Sequence, residues 1–244
     1  MKSNYFQTTS QTIHYLEGGS GEPLILLPSL YLTSTSFEKL GEALAKHFHV
    51  YIPDLYKGKS KFATSTTSVI DYCTAIEGFI RGNNIKNYYL VGISASGFVL
   101  SYFVRHTTLL PKKLFLFSTS FVPVMLGSMN IRLLKGYVKL FSHNIKTRTG
   151  LNLNTRWLTD SIPYFAKHPK QFFGEPKNVY PAENSADIVC TCETKLVLAE
   201  SDEFFGDLPV QKINSAVSGL SIEVVHGNHT WFFESPDLFV EKIT

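Results

Sequence analysis

The stretch Leu90–Gly97, with the sequence LVGISASG, is the most informative part of this chain. An apolar run ends at Gly92, Ser94 follows two positions later, and the small residue Ser96 comes two positions after that. This spacing is typical of a nucleophile elbow, a sharp turn from a strand into a helix with a serine at its tip. Because the pattern is short, it is meaningful only with a strand before it, a helix after it, and an acid and a histidine downstream.

The rest of the chain shows strand patterns alternating with helical ones. Apolar runs predict strands over Gln11–Leu16, Pro23–Leu27, Phe48–Ile52, Asn87–Ile93, Lys113–Ser118, Lys195–Ala199 and Ser221–Val225. Helical spacing between them predicts helices over Ser36–His47, Ser68–Ile80, Gly97–His106 and Asp237–Ile243, with Ser68 as an N-cap. The alternation predicts an α/β fold with a doubly wound, mostly parallel sheet.

One connection, between the strands at Lys113 and Lys195, is longer than a single crossover needs. We therefore expect an inserted, mainly helical cap over residues 121–186, with a core formed by residues 1–120 and 187–244. Within the cap, Leu134, Val138 and Phe141 share helical spacing and are expected to form the apolar underside of a helix.

The histidine and the acid are predicted from their positions after Ser94. His229 follows the last strand, at the sheet edge where the serine would lie, and His226 is the alternative. No Asp or Glu occurs from Gly78 to Thr159, so no carboxylate directly follows the strand at Lys113. The acid could follow either of two strands, and this leaves the loop after Lys195–Ala199. There Asp202 is favoured, and Glu203 and Glu200 are alternatives.

An oxyanion hole and substrate contacts complete the predicted site. The Ala95 N–H would begin the helix after Ser94, where the helix dipole favours negative charge. We expect the second N–H donor to be Leu30, in the loop after the strand at Leu24–Leu27. Tyr31, Trp157 and Trp231 are expected to contact the substrate.

Together these segments resemble the α/β-hydrolase superfamily over nearly the whole chain. The resemblance rests on LILLPSL (24–30), DLYKGKS (54–60), LVGISASG (90–97), LVLAESD (196–202) and GNHTWFFESP (227–236). The chain departs from the family pattern at Pro28-Ser29, where His-Gly is usual, at Lys57, and at Ser96, where glycine is usual. Epoxide hydrolases and haloalkane dehalogenases of this fold need a carboxylate at the elbow, so Ser94 argues against both.

The resemblance implies a serine hydrolase that cleaves a carboxylic ester or thioester through an acyl-enzyme on Ser94. His229 would be the base and Asp202 would orient it, and no metal or organic cofactor is required. In layout the chain is similar to pimeloyl-carrier-protein methyl ester esterases. Two alternatives remain: a C–C bond hydrolase or lyase with the same triad, and a non-hydrolytic ligand-binding protein of the same fold.

Composition narrows the environment and the partners. The net charge of +3 is too small to indicate nucleic-acid binding, and the three cysteines do not form a disulfide framework. With no secretory signal and no long apolar run, we expect a cytoplasmic protein without stable membrane insertion. Residues 121–186 carry nine Lys or Arg against three acids. This basic cap is explained by solvated lysines, by an anionic partner such as an acyl carrier protein or acyl-CoA, or by peripheral membrane contact.

Overall fold

The computed structural model describes residues 1–8, 11–29, 32–55, 58–62, 68–119, 129–162, 166, 188–205, 210 and 217–244. Within these residues, nine strands form one sheet. The strands are β1 Lys2–Gln7, β2 Gln11–Gly18, β3 Pro23–Leu27, β4 His49–Pro53, β5 Lys61–Phe62, β6 Tyr89–Ile93, β7 Lys113–Phe117, β8 Ile188–Ala199 and β9 Val217–Val225.

The helices lie between and after these strands. They are α1 Glu38–Leu44, α2 Val69–Gly82, α3 Ala95–His106, α4 Met129–Asn144, α5 Arg148–Arg156, α6 Trp231–Glu234 and α7 Pro236–Glu241. A 3₁₀ turn over Ser34–Phe37 precedes α1, and a π-helical turn over Trp157–Ser161 extends α5. Ser68 caps α2 as predicted, since its hydroxyl accepts a hydrogen bond from the Asp71 N–H at 3.2 Å.

The sheet has the order β1-β2-β4-β3-β6-β7-β8-β9, with β5 paired to β2. All pairings from β4 through β3 and on to β9 are parallel, whereas those of β2 with β1, β4 and β5 are antiparallel. The predicted mostly parallel sheet is confirmed. Sequence reasoning missed β1 because its residues KSNYFQ are mostly polar and only its pairing with β2 makes it a strand.

Both faces of the sheet are covered, which confirms the doubly wound architecture. On one face, α2 and α3 pack against alternate strand residues such as Leu90 and Leu114. On the other face, α1 and α7 pack against their neighbours Val91 and Phe115. Because successive side chains of a strand point to opposite faces, burial on both sides requires the continuous apolar runs seen in the sequence.

A buried hydrogen-bond network joins the start of β2 to the loops after β3 and β4. His14 Nδ1 lies 2.7 Å from Asp54 Oδ2, and both residues are almost completely buried. The other Asp54 oxygen accepts the Ser34 N–H at 2.5 Å, and the Ser60 hydroxyl donates to the Asp54 carbonyl at 2.6 Å. The network therefore holds the chain at Ser34, shortly after the predicted oxyanion loop.

Asp54→Ala is expected to lower the free energy of unfolding by about 2–5 kcal/mol, because the His14 and Ser34 donors would be buried without an acceptor. Urea denaturation measures the loss. Glu77→Ala is the matched control, since the Glu77 carboxylate pairs with Arg81 at the exposed surface and should contribute only about 0.5 kcal/mol. Equal effects of the two substitutions would contradict this role of the network.

Within the residues that the structure describes, no helix is both long enough and apolar enough to cross a bilayer.

Candidate active site

Ser94 lies at the turn between β6 and α3 with φ 55° and ψ −123°, a backbone conformation that side-chain-bearing residues rarely adopt. Two glycines, Gly92 and Gly97, leave the space that this turn needs. A Cβ on Gly92 would lie 3.0 Å from the Gly97 Cα, and a Cβ on Gly97 would lie 2.6 Å from the Thr119 side chain. The sequence LVGISASG therefore forms the strand, turn and helix that its spacing predicts.

The Ser96 hydroxyl, which distinguishes this elbow from the usual glycine version, faces the sheet backbone. It accepts the Ile93 N–H at 2.7 Å and lies 2.9 Å from the carbonyl oxygens of Leu27 and Ile93. Ser96 is buried, so these bonds satisfy a polar group that would otherwise be desolvated. The hydroxyl links the elbow to the end of β3, where the predicted oxyanion loop begins.

Ser96→Ala is expected to lower the free energy of unfolding by about 1–3 kcal/mol, because the Ile93 N–H loses its buried acceptor. Thermal or urea unfolding measures this effect. Ser101→Ala on the same helix is the control, since the Ser101 hydroxyl only donates to the Gly97 carbonyl one turn earlier. A destabilisation no larger than that of Ser101→Ala would show that the Ser96 contacts contribute little.

His229 and Asp202 lie in line with Ser94. His229 Nε2 is 3.0 Å from the Ser94 hydroxyl, and His229 Nδ1 is 2.8 Å from Asp202 Oδ2. The aromatic ring of Phe204 packs edge-on against the imidazole, with centroids 4.6 Å apart. Since β6, β8 and β9 run parallel, the loops after their carboxyl ends meet at one edge of the sheet, which brings these three side chains together.

The environment of Asp202 keeps it ionised. Burial acts to raise the pKa of this carboxyl, but the charge and hydrogen bond of His229 and two backbone donors outweigh it, so that its pKa lies below the usual 3.8. The backbone donors are the N–H groups of Phe204 and Phe205, at 2.9 and 3.0 Å. An ionised Asp202 accepts the Nδ1–H of His229 and leaves Nε2 free to accept a proton from Ser94.

The alternatives for the acid and the histidine occupy other positions. Glu200 pairs with His226 at the exposed surface. Glu203 accepts the backbone N–H of His229 at 3.0 Å and so supports the histidine loop without reaching the imidazole. Of the predicted residues, the structure therefore brings Ser94, His229 and Asp202 together; their roles stay predictions.

The predicted oxyanion hole is described on one side only. Ala95 begins α3, so its N–H is among the first-turn donors that have no acceptor within the helix, and Ala95 lines the cavity beside Ser94. Leu30 and Tyr31 lie outside the described residues. Ser29, immediately before them, also lines the cavity.

A cavity of about 60 Å³ lies beside Ser94 and His229, next to α4 and α5, the described helices of the predicted cap. Its wall is mostly apolar and aromatic, with Tyr137, Leu140, Phe141, Leu153 and Trp157 from the cap and Phe204 and Phe205 from the core. None of the described lining residues is an Asp, Glu, Lys or Arg. The described wall therefore suits a substrate that is neutral where it is enclosed.

Three polar side chains in this wall were not predicted. Asn144 Nδ2 donates to Asn154 Oδ1 at 2.9 Å, and the Thr230 hydroxyl lies 3.4 Å from Asn144 Oδ1. Thr230 could have been found by its position next to His229. The two asparagines lie on different helices, so only the packing of α4 against α5 identifies them as neighbours.

Of the two tryptophans expected to contact the substrate, Trp157 lines the cavity, and its contact with a substrate stays a prediction. Trp231 packs in the core against Phe117 and Phe239 and is absent from the described cavity wall. The expected underside of the cap helix was wrong in part, since Phe141 faces the cavity whereas Leu134 and Val138 are 65% and 60% exposed. Helical spacing identifies a common face but not which of its residues meet other parts of the fold.

Among the described residues, no group of three or more His, Cys, Asp or Glu could hold a metal ion. Burial raises the pKa of the Cys73 thiol to about 12 and also raises the pKa values of Cys190 and Cys192, so these thiols stay protonated at neutral pH.

Comparisons with known proteins place the chain in a family and match its fold. The sequence profile described as "Alpha/beta hydrolase family" matches residues 24–242. No curated protein sequence matches the chain.

Among solved structures, the chain is similar to a thermophilic esterase from Thermogutta terrifontis, with 16% identity and a TM-score of 0.81 over 100% of this chain and 97% of that one. It is also similar to Est816, described as an N-acyl homoserine lactone degrading enzyme, with 17% identity and a TM-score of 0.79 over 98% of both chains. A meta-cleavage product hydrolase from Pseudomonas fluorescens IP01 matches with 17% identity and a TM-score of 0.79, over 96% of this chain and 93% of that one. At these identities the likeness concerns the fold.

Proposed function

Since the chain belongs to the alpha/beta hydrolase family, we propose that it is a serine hydrolase that cleaves carboxylic esters of short acyl chains. The observation that carries this proposal is the continuous alignment of Ser94, His229 and Asp202, with contacts of 3.0 and 2.8 Å, at the wall of a cavity. This arrangement supports activation of the serine hydroxyl by the imidazole.

The reaction proceeds in two steps. The Ser94 hydroxyl oxygen attacks the ester carbonyl while His229 Nε2 accepts its proton, and the oxyanion that forms accepts a hydrogen bond from the Ala95 N–H. The protonated His229 then gives the proton to the leaving alcohol, which leaves an acyl group on Ser94. Water attacks this acyl-enzyme with His229 again as the base, and the carboxylic acid departs.

The cavity sets the expected size of the acyl group. A volume of about 60 Å³ has room for only a few groups the size of a water molecule, so we expect short acyl chains such as acetyl to butyryl. The uncharged described wall favours a neutral acyl group over a dicarboxylic one, because no described cation there could pair with a second carboxylate.

The proposal is tested with p-nitrophenyl esters of increasing acyl length and with a fluorophosphonate probe. We expect kcat/KM to be highest for acetyl to butyryl esters and to fall by about tenfold or more for octanoyl esters, because a longer chain does not fit the described space. The probe should label Ser94, which peptide mass spectrometry identifies. Absence of both ester turnover and labelling would overturn the proposal and would favour a non-hydrolytic ligand-binding protein.

The same triad also supports C–C bond hydrolysis, and the likeness to the meta-cleavage product hydrolase favours including this reaction as a second candidate. A β-diketone assayed in parallel distinguishes the two, since labelling of Ser94 with turnover of the diketone alone would replace the ester assignment. Hydrolysis of thioesters and the similarity in layout to pimeloyl-carrier-protein methyl ester esterases stay predictions. Short-chain acyl-CoA and carrier-linked substrates in the same panel test them.

A further inference from the structure

The helices α4 and α5 and the turns after them expose apolar side chains that do not line the cavity. On α4 and just after it, Leu134, Val138 and Ile145 lie within about 40° of one another around the helix axis, at 100° per residue. On α5 and the following turn, Leu151, Leu158 and Ile162 are exposed in the same way. These six side chains are 46% to 65% exposed. Such a concentration of large exposed apolar residues indicates a contact surface.

Exposed cations flank these residues. They are Lys135 and Lys139 on α4, Lys146 in the turn, and Arg148 and Arg156 on α5. Together with the six apolar side chains they are named the outer cap face. Among the described residues 129–162, Asp160 is the only acid, and the hydroxyls of Thr33 and Thr35 donate to it at 3.3 Å. Glu234, from α6, contacts the cap at Thr147.

We propose that the outer cap face adsorbs to an anionic lipid surface. A helix pair that lies in a lipid interface places Leu, Val and Ile side chains among the acyl chains and Lys and Arg side chains among the anionic head groups. The charge of the face is complementary to such a surface. Transfer of its six apolar side chains from water to the acyl-chain region is favourable. An acidic carrier protein would match the five cations but offers no comparable environment for six separate apolar side chains.

Adsorption in this orientation leaves the catalytic machinery intact. The residues that line the cavity from α4 and α5, such as Tyr137, Leu140 and Leu153, are different from the exposed residues of the outer cap face. Substitutions on the outer cap face should therefore change lipid binding without changing hydrolysis of a water-soluble ester.

The test is cosedimentation of the full chain with vesicles. One set contains phosphatidylcholine alone and the other contains phosphatidylcholine and phosphatidylglycerol in equal parts. We expect binding to the anionic vesicles that weakens as the salt concentration rises, and weak binding to the neutral ones. Lys135→Gln with Lys139→Gln should weaken anionic-vesicle partitioning by about tenfold to thirtyfold, and Leu134→Ser with Val138→Ser should weaken it by about tenfold or more.

Ile70→Ser with Lys86→Gln is the matched control, because Ile70 is 60% exposed and Lys86 is exposed outside the cap. This control should bind vesicles like the unmodified chain, and all variants should keep its unfolding midpoint within a few degrees. Absence of binding to anionic vesicles would overturn the proposal, as would equal losses in the control. The proposal would also be overturned if the chain bound a purified acyl carrier protein but not the vesicles, and if the cation variants abolished that binding. This outcome would assign the face to an acidic protein.

Discussion

Ser94→Ala is expected to lower kcat for a short-chain ester by about 10⁴-fold or more, to the level of a protein without a nucleophile. The alanine removes the atom that bonds to the acyl carbon, and no other described hydroxyl is aligned with His229 Nε2. Ser94 adopts φ 55°, a conformation that serine and alanine disfavour to a similar degree. Since the substitution adds no backbone strain, the turn geometry and the fold should be retained. Initial-rate kinetics measure the loss, and circular dichroism verifies the fold.

Ser101→Ala serves as the matched control for Ser94→Ala. Ser101 lies on the helix that follows Ser94, and its buried hydroxyl donates a hydrogen bond to the backbone of the preceding turn. We expect ester hydrolysis by Ser101→Ala within about threefold of the unmodified chain, since surrounding geometry is unchanged. Retained hydrolysis by the Ser94→Ala protein would show that the elbow serine is not the nucleophile.

Asp202→Asn is expected to lower kcat by about 10³- to 10⁴-fold with little change in KM. The amide can donate to His229 Nδ1, which would place the proton of the neutral imidazole on Nε2, where it cannot accept the Ser94 proton. Glu200→Gln is the control, since Glu200 occupies the same loop and pairs with the exposed His226. It should retain activity within about twofold, and a larger loss for Glu200→Gln than for Asp202→Asn would contradict the assignment of the acid.

The lowered pKa of Asp202 also predicts a pH dependence of stability. A carboxyl whose pKa is lower in the folded protein stabilises the fold above its unfolded value, near 3.8, and this contribution disappears as the pH falls through the folded value. The difference in free energy of unfolding between the unmodified chain and Asp202→Asn should therefore shrink as the pH falls below about 4. A difference that stays the same or grows below pH 4 would contradict an ionised Asp202.

A second Ser–His–Asp alignment shows that hydrogen-bond distances alone do not define a site. His14 lies 2.9 Å from the Ser3 hydroxyl and 2.7 Å from Asp54, much like His229 between Ser94 and Asp202. Ser3, however, belongs to the antiparallel strand β1 rather than to a turn before a helix, so no helix N-terminus is aimed at a developing oxyanion. Asp54 is further engaged by Ser34, as a structural residue would be.

The sequence alone predicted the buried strands, the elbow at Ser94 and the loop that carries the acid. Continuous apolar runs identified the buried strands, because a strand covered on both faces needs apolar side chains at every position. The spacing around Ser94 predicted the elbow, because few residues tolerate that turn. The absence of carboxylates from Gly78 to Thr159 directed the acid to the loop of Asp202.

Tertiary structure decided what depends on which surfaces meet. Examples are the pairing of Asn144 with Asn154, the contact of Ser96 with Leu27, and the burial of Trp231 in the core. No periodic pattern in the sequence relates these residues to the ones that they contact. The burial of α4 followed the same rule: Leu134, Val138 and Phe141 share a face by spacing, but Phe141 lines the cavity and the other two are exposed. A helical pattern does not show where along the helix other elements pack, so only its neighbours determine which residues of a face are buried.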